Sequence, residues 1–405
     1  MSTWTLGPHP HMASSCIVLG VIGVSLGLTL RSLSRDNPLK EPCIKSPRKT
    51  LLPSLSKDET AALPYPPDIL PGGRDVETPY GNIKVFEWGP EDGEKVLLMH
   101  GISVPCLALA DLAQELVSKN YRVMLFDFFG RGYSDAPTDI PYDIRLYTTQ
   151  ILLVLASSNL QWTGNDAFHL IGYSLGGGIG VSFTQYFSHM VKSLVLVAGG
   201  GLIRHEHVSW KSRMLYSTTG LFPEWLLQYL VRQRLTPKEA TTEEEMAGEV
   251  ARPAEPPKRQ KNSDASGGSS YDNALLTTTR GGPGVSVSSV LAWQLRNQQG
   301  FIPAFMSSIR HAPIYDRQND WQALGQLLSE RREPEGSTLP GLRGGRVLLV
   351  LGSTDPVIVQ EELVHDATAV LGEDGFEAVL LDCGHEIVMT KAKEVADLAA
   401  GFWGA

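Results

Sequence analysis

The chain has 405 residues, 42% hydrophobic and 20% charged, the composition of a globular protein able to bury a large core. A net charge of −9 excludes a nucleic-acid binder, which would show a concentrated basic face. Cys16, Cys43, Cys106 and Cys383 are scattered, no zinc-type Cys/His spacing or P-loop occurs, and neither a disulfide framework, a metal ion nor a cofactor is expected.

Within residues 1–31, no Lys, Arg, Asp or Glu precedes Arg31, and residues 13–30 form an apolar run. At about 1.5 Å per residue this run reaches roughly 27 Å, enough for a thin bilayer. Arg31, Arg35, Lys40, Lys45, Arg48 and Lys49 follow it, which predicts a single-pass membrane anchor with the remainder of the chain on the cytosolic side. The alternative is a leader with no membrane role and a soluble protein, cytoplasmic or secreted. Residues 32–72 are rich in Pro, Ser and Lys without a sustained period and read as a linker.

Order is expected from residue 73. Apolar runs at 83–89 and 95–101, separated by "PEDGE", predict a hairpin. The runs at 122–128, 167–173, 193–199, 346–352 and 377–382 are short and continuously apolar, as strands of a parallel sheet covered on both faces are. Helical patterns at 109–120 and 145–158 lie between them, which makes the fold α/β with right-handed crossovers. Residues 73–201 and 341–405 form the predicted core, and 202–340, which lacks a buried-strand signal, a predicted cap insert. In the insert, 210–235 and 290–312 read as helical, whereas 238–289 is crowded with Glu, Pro, Ser, Gly and Thr and is expected to be a disordered loop. Of the insert's Trp210, Tyr216, Leu221, Phe222, Trp225, Trp293, Phe301 and Phe305, most are expected to pack the cap's own interior.

Chemistry concentrates at strand ends. Gly172-Tyr173-Ser174-Leu175-Gly176 fits G-x-S-x-G directly after a strand and before a helix-compatible stretch, the context of a nucleophile on a tight turn. A serine hydroxyl needs a base to take its proton, and the base needs an orienting acid. Asp355 follows the next-to-last strand and His385 follows the last, so the chain order is Ser…Asp…His. His100-Gly101 ends an earlier strand, and the backbone amides of Ile102 and Leu175 are the candidate oxyanion-binding pair. His100, Asp127 and Arg131 are assigned structural roles.

The segments "HG", "DFFGRGYSD", "GYSLGGG", "GSTDPVI" and "CGHEIV" together resemble the successive signatures of the α/β-hydrolase superfamily, over roughly 80–200 and 345–405. The resemblance implies an α/β-hydrolase fold, a mostly parallel central sheet with flanking helices and an inserted helical cap. It also implies Ser174 as nucleophile, His385 as general base and acid, and Asp355 as its orienting carboxylate. Anchor plus cap is similar in layout to membrane-bound monoacylglycerol lipase-like members. A serine at the elbow disfavours epoxide hydrolase and dehalogenase chemistry, which need a carboxylate there. The reading is an esterase or lipase type that cleaves an ester or thioester of an apolar small molecule or lipid through an acyl-enzyme. Carbon–carbon bond hydrolysis, other triad chemistry and a non-catalytic binding protein are the alternatives. The sequence assigns no oligomeric state.

Overall fold

The computed structural model describes residues 42–220, 222–237, 274–276 and 284–404. The run 13–30, most of 238–289 and Leu221 lie outside the described residues. Eight strands make one sheet: β1 (Gly73–Thr78), β2 (Gly81–Trp88), β3 (Lys95–Met99), β4 (Arg122–Phe126), β5 (Phe168–Tyr173), β6 (Val191–Val197), β7 (Val347–Gly352) and β8 (Phe376–Leu381). Their spatial order is β8-β7-β6-β5-β3-β4-β2-β1. β2 runs antiparallel to both β1 and β4, and every other neighbouring pair is parallel.

The apolar runs of β5 and β7 have the expected cause, since every residue of both is buried, whereas β8, read as equally covered, is an edge strand whose residues are all exposed or half-buried. Helices α1 (Ala110–Ser118), α2 (Ile144–Ala156), α3 (Leu175–Phe187), α8 (Gln318–Arg332), α9 (Gln360–Leu371) and α10 (Ala392–Gly404) accompany the sheet. Among them α1 packs on α10, and α2 and α8 pack on α3. Because the strands run parallel, their C-terminal ends gather on one edge, where the loops that carry Ser174, Asp355 and His385 emerge.

Further readings of the sequence need correction. The runs at 83–89 and 95–101 do not form a hairpin: β4 lies between β2 and β3, and β2 instead pairs with β1. The turn between them is local, but strand order is decided by which faces can be covered on both sides. The linker read through residue 72 stops earlier. Cys43–Ile44 pairs antiparallel with Ala136–Pro137, and Tyr65, Ile69 and Leu70 are buried in the core. These anchors are single residues at irregular spacing, so they produce no period. Finally, α8 belongs with the sheet although it falls inside 202–340. Trp321, Leu324 and Leu328, spaced as one helix face, enter the main core.

Among the described residues, the other α-helices of 202–340 are α4 (Trp210–Leu215), α5 (Glu224–Leu235), α6 (Val287–Asn297) and α7 (Phe301–His311). Leu227, Val231 and Leu235 of α5 pack with Leu291 and Leu295 of α6 and with Phe301 and Phe305 of α7 in a second cluster. An adjoining face of α6, with Val287, Val290 and Trp293, joins the main core. Leu275–Leu276 pairs with Val285–Ser286, with Leu276 buried, so these residues of the expected loop are built into the fold. Tyr216, Trp293, Phe301 and Phe305 are buried, whereas Trp210 and Trp225 are each 69% exposed and Phe222 is 42% exposed.

Candidate active site

Ser174 stands between β5 and α3 with φ 52° and ψ −117°, a conformation that non-glycine residues rarely adopt. The surroundings hold it there. Its N–H donates to the Val197 carbonyl at 3.1 Å, and its own carbonyl accepts the Gly177 and Gly200 amides at 2.9 Å each. The turn is tight because α3 starts against the sheet. A Cβ on Gly172 would lie 2.4 Å from the Gly176 carbonyl oxygen, and one on Gly176 would lie 2.4 Å from that of Met99. Any side chain at either position would push the helix off the strands.

Asp355 and His385 come to the same edge from β7 and β8. His385 Nε2 is 3.0 Å from Ser174 Oγ, and His385 Nδ1 is 2.8 Å from Asp355 Oδ2. The other carboxylate oxygen of Asp355 accepts the Val357 and Ile358 amides at 2.7 and 2.9 Å. The carboxylate therefore cannot rotate away from the imidazole without losing two further hydrogen bonds. With Nδ1–H on Asp355, the lone pair of Nε2 faces the serine hydroxyl. The His385 and Asp355 side chains are only 4% and 1% exposed, which keeps water from competing for these bonds. The sequence reading missed one contact: Tyr173 Oη donates to the His385 carbonyl at 2.9 Å and ties the histidine loop to the residue before Ser174. An aromatic residue inside a buried strand gives no sign of such a role.

The segment after β3 lies alongside. A Cβ on Gly101 would come within 3.4 Å of Ser174 Cβ, so the residue whose carbonyl carbon bears the Ile102 N–H lies beside the serine. Leu175 supplies the first amide of α3, at the positive end of the helix dipole. Neither amide is bound to a main-chain carbonyl among the described residues.

Other polar groups nearby are structural. Fully buried Asp127 accepts the Cys106 and Tyr133 amides at 3.0 and 2.9 Å and the Tyr65 hydroxyl at 3.1 Å; burial pushes its carboxyl above the usual range. Burial also pushes the Cys383 thiol, two residues from His385, up to about 11, so it stays protonated at neutral pH.

A sheet in this strand order, with a serine on a strained strand-to-helix turn and a histidine after the last strand, defines a hydrolase-type α/β protein. The model of the family described as the alpha/beta hydrolase fold matches residues 96–392, and the chain belongs to that family. It is 30% identical over 132 residues to a serine hydrolase-like protein of Danio rerio, across 32% of this chain and 39% of that protein. It is also 30% identical over 123 residues to a serine hydrolase-like protein of Homo sapiens, across 30% of this chain and 58% of that one. The matches thus span between 39% and 58% of these relatives' own length. Among solved structures, a carboxylesterase from Bacillus subtilis superposes with a TM-score of 0.53 at 16% identity, covering 85% of this chain and 94% of its own. A haloalkane dehalogenase from Paraglaciecola agarilytica gives 0.53 at 16% identity, with 89% and 98% covered. Likeness at this identity establishes the fold.

Proposed function

We propose that this chain is a serine hydrolase that cleaves an ester or thioester of an apolar small molecule or lipid. The observation that supports it most is the continuous path from Asp355 Oδ2 through His385 to Ser174 Oγ, with contacts of 2.8 and 3.0 Å. As Ser174 Oγ attacks the carbonyl carbon, its proton passes to His385 Nε2 and Asp355 stabilises the imidazolium. The tetrahedral oxyanion faces the Ile102 and Leu175 N–H groups. His385 returns the proton to the leaving alcohol or thiol, which leaves an acyl group on Ser174. Water then attacks the acyl-enzyme with His385 as base, releasing the acid and restoring the hydroxyl.

The test is Ser174→Ala assayed on p-nitrophenyl butyrate and with a fluorophosphonate probe. The wild type hydrolyses the ester and takes up the probe, and the variant does neither. Labelling that persists in the variant overturns the assignment. The same proposal places the protein at a membrane through residues 13–30, supported by their apolar run and basic flank. Among the described residues no helix is long and apolar enough to cross a membrane. Carbonate extraction decides the point: full-length chain released into the supernatant contradicts the anchor.

A further inference from the structure

The loop after β3 is held from behind at three successive carbonyls. His100 Nδ1–H donates to the Gly101 carbonyl at 2.7 Å, Arg131 Nε–H to the Ile102 carbonyl at 3.1 Å, and Gln294 Nε2–H to the Ser103 carbonyl at 2.8 Å. The far side of His100 fixes its tautomer. The Phe128 amide donates to Nε2 at 2.9 Å, which leaves the ring proton on Nδ1. Burial, aided by the charge of Arg131, lowers the His100 pKa to about 3, so the ring stays neutral. In a trans peptide the C=O and N–H point in opposite directions. Pinning the Gly101 carbonyl therefore aims the Ile102 N–H away from His100, and pinning the next two carbonyls stops the chain from swinging it back.

Two of these three side chains come from loops of the sheet. The third comes from α6, 191 positions beyond Ser103. Gln294 is fully buried, and both ends of its amide are used, since Oε1 accepts the Gly132 N–H at 2.9 Å. Helix α7 adds a brace: Arg131 Nη2 donates to Ser308 Oγ at 2.8 Å, and Ser308 is also fully buried. A buried primary amide costs several kcal/mol unless it is paired, so its orientation is strongly determined once both partners are in place.

We infer that Gln294 is a positioning residue for the oxyanion-binding amide of Ile102. On this inference α6 and α7 complete the wall of the catalytic loop as well as covering it. The inference rests on the serine hydrolase reading above.

Gln294→Met, made in the full-length chain, removes the amide while keeping the length of the side chain. On p-nitrophenyl butyrate kcat falls about tenfold, less than the ~10²–10³ lost when an oxyanion donor is deleted outright, and KM stays within about twofold. Fluorophosphonate labelling reaches the same end point at a slower rate. Gln298→Met is the control. Gln298 is equally buried and donates to the Gly132 and Ser134 carbonyls at 3.3 and 2.8 Å, but it does not touch the 101–103 carbonyls. It lowers the melting temperature while kcat stays within about twofold. Gln294→Glu supplies a rescue. Protonated, it can donate O–H to Ser103 while its other oxygen accepts from Gly132; ionised, it cannot donate. Its activity relative to wild type at the same pH therefore rises as pH falls. An unchanged kcat in Gln294→Met, or equal kcat losses in both methionine variants that track melting temperature, overturns the inference. If Gln294→Met does not fold, a flat Gln294→Glu ratio across pH overturns it instead. Failure of the underlying reading looks different, because the wild type would then hydrolyse nothing, or Ser174→Ala would retain the activity, whatever Gln294 does.

Discussion

Helices α6 and α7 and helices α4 and α5 come from one stretch of chain, yet they differ in what their buried polar groups bond and in how many aromatic side chains they leave exposed. The inner pair buries Gln294 and Ser308 completely and bonds them to loops of the sheet. The outer pair leaves Trp210 and Trp225 at 69% exposure and Tyr229 at 55%. Burying an amide is tolerable only where every donor and acceptor is met, so the inner pair is locked to one arrangement. The outer pair packs through Leu227, Val231 and Leu235, an apolar contact that accepts substitution of comparable volume, and through side chains of α5 that bond outward: Arg232 to the Leu295 carbonyl, Arg234 to Ser212 Oγ and Glu224 to Arg310. Sensitivity to mutation should therefore fall steeply from the sheet edge through the inner helices to the outer ones.

The largest effects set the scale. Ser174→Ala and His385→Ala are each expected to lower kcat on the order of 10⁴-fold or more, and by similar factors, because the residues act as a unit. Asp355→Asn falls less, on the order of 10³- to 10⁴-fold, since it misorients the imidazole but removes neither reacting group. A Ser174 effect no larger than that of an inner-helix variant would break the ordering.

Stability comes next. Phe305→Ala, at a fully buried position on α7 that packs in one cluster with α5, is expected to cost about 3–5 kcal/mol in denaturant unfolding. A cost below about 1 kcal/mol would mean that the two helix pairs do not share a packed interior.

Burial lowers the His100 pKa from 6.5 to about 3 and that of His169 from 6.5 to about 4. The unfolded chain binds these protons at the ordinary value, and the folded chain does not. Their contribution to stability is therefore complete above about 6.5 and is lost as pH falls towards the folded values. The denaturation midpoint should drop between pH 7 and pH 5, and an unchanged midpoint would contradict the buried, neutral state of both rings. The smallest effect belongs to the outer pair. Trp225→Ser should change stability by less than about 0.5 kcal/mol and leave kcat on the butyrate ester unaltered. A larger loss would show that the outer helices are as constrained as the inner ones.

What could be read in advance follows the same gradient. Strands β4 to β7 announce themselves because both faces are covered, which forces continuous apolar runs. β1, with "GRDVET", is an edge strand whose residues are exposed or half-buried, so nothing in it needed to be apolar. Ser174, Asp355 and His385 were legible because each follows a strand end at a characteristic distance. Gln294 was not. A glutamine in a helix looks like a solvated residue, and only the loop it meets 191 positions earlier in the chain explains its burial. Residues 43–72 failed for a related reason: Tyr65 is buried by the Asp127 carboxylate it bonds, a contact with no local signature.

The central claim is that Ser174 carries the acyl group during turnover. It is tested most directly by reacting the full-length protein with a fluorophosphonate or a slow-turnover ester, digesting it, and mapping the adduct by mass spectrometry. The account predicts one adduct per chain, on the peptide containing Gly172-Tyr173-Ser174-Leu175-Gly176 and assigned to Ser174. It also predicts loss of the adduct in His385→Ala at matched reaction time. An adduct on any other residue, or an active enzyme that forms none on Ser174, would contradict it.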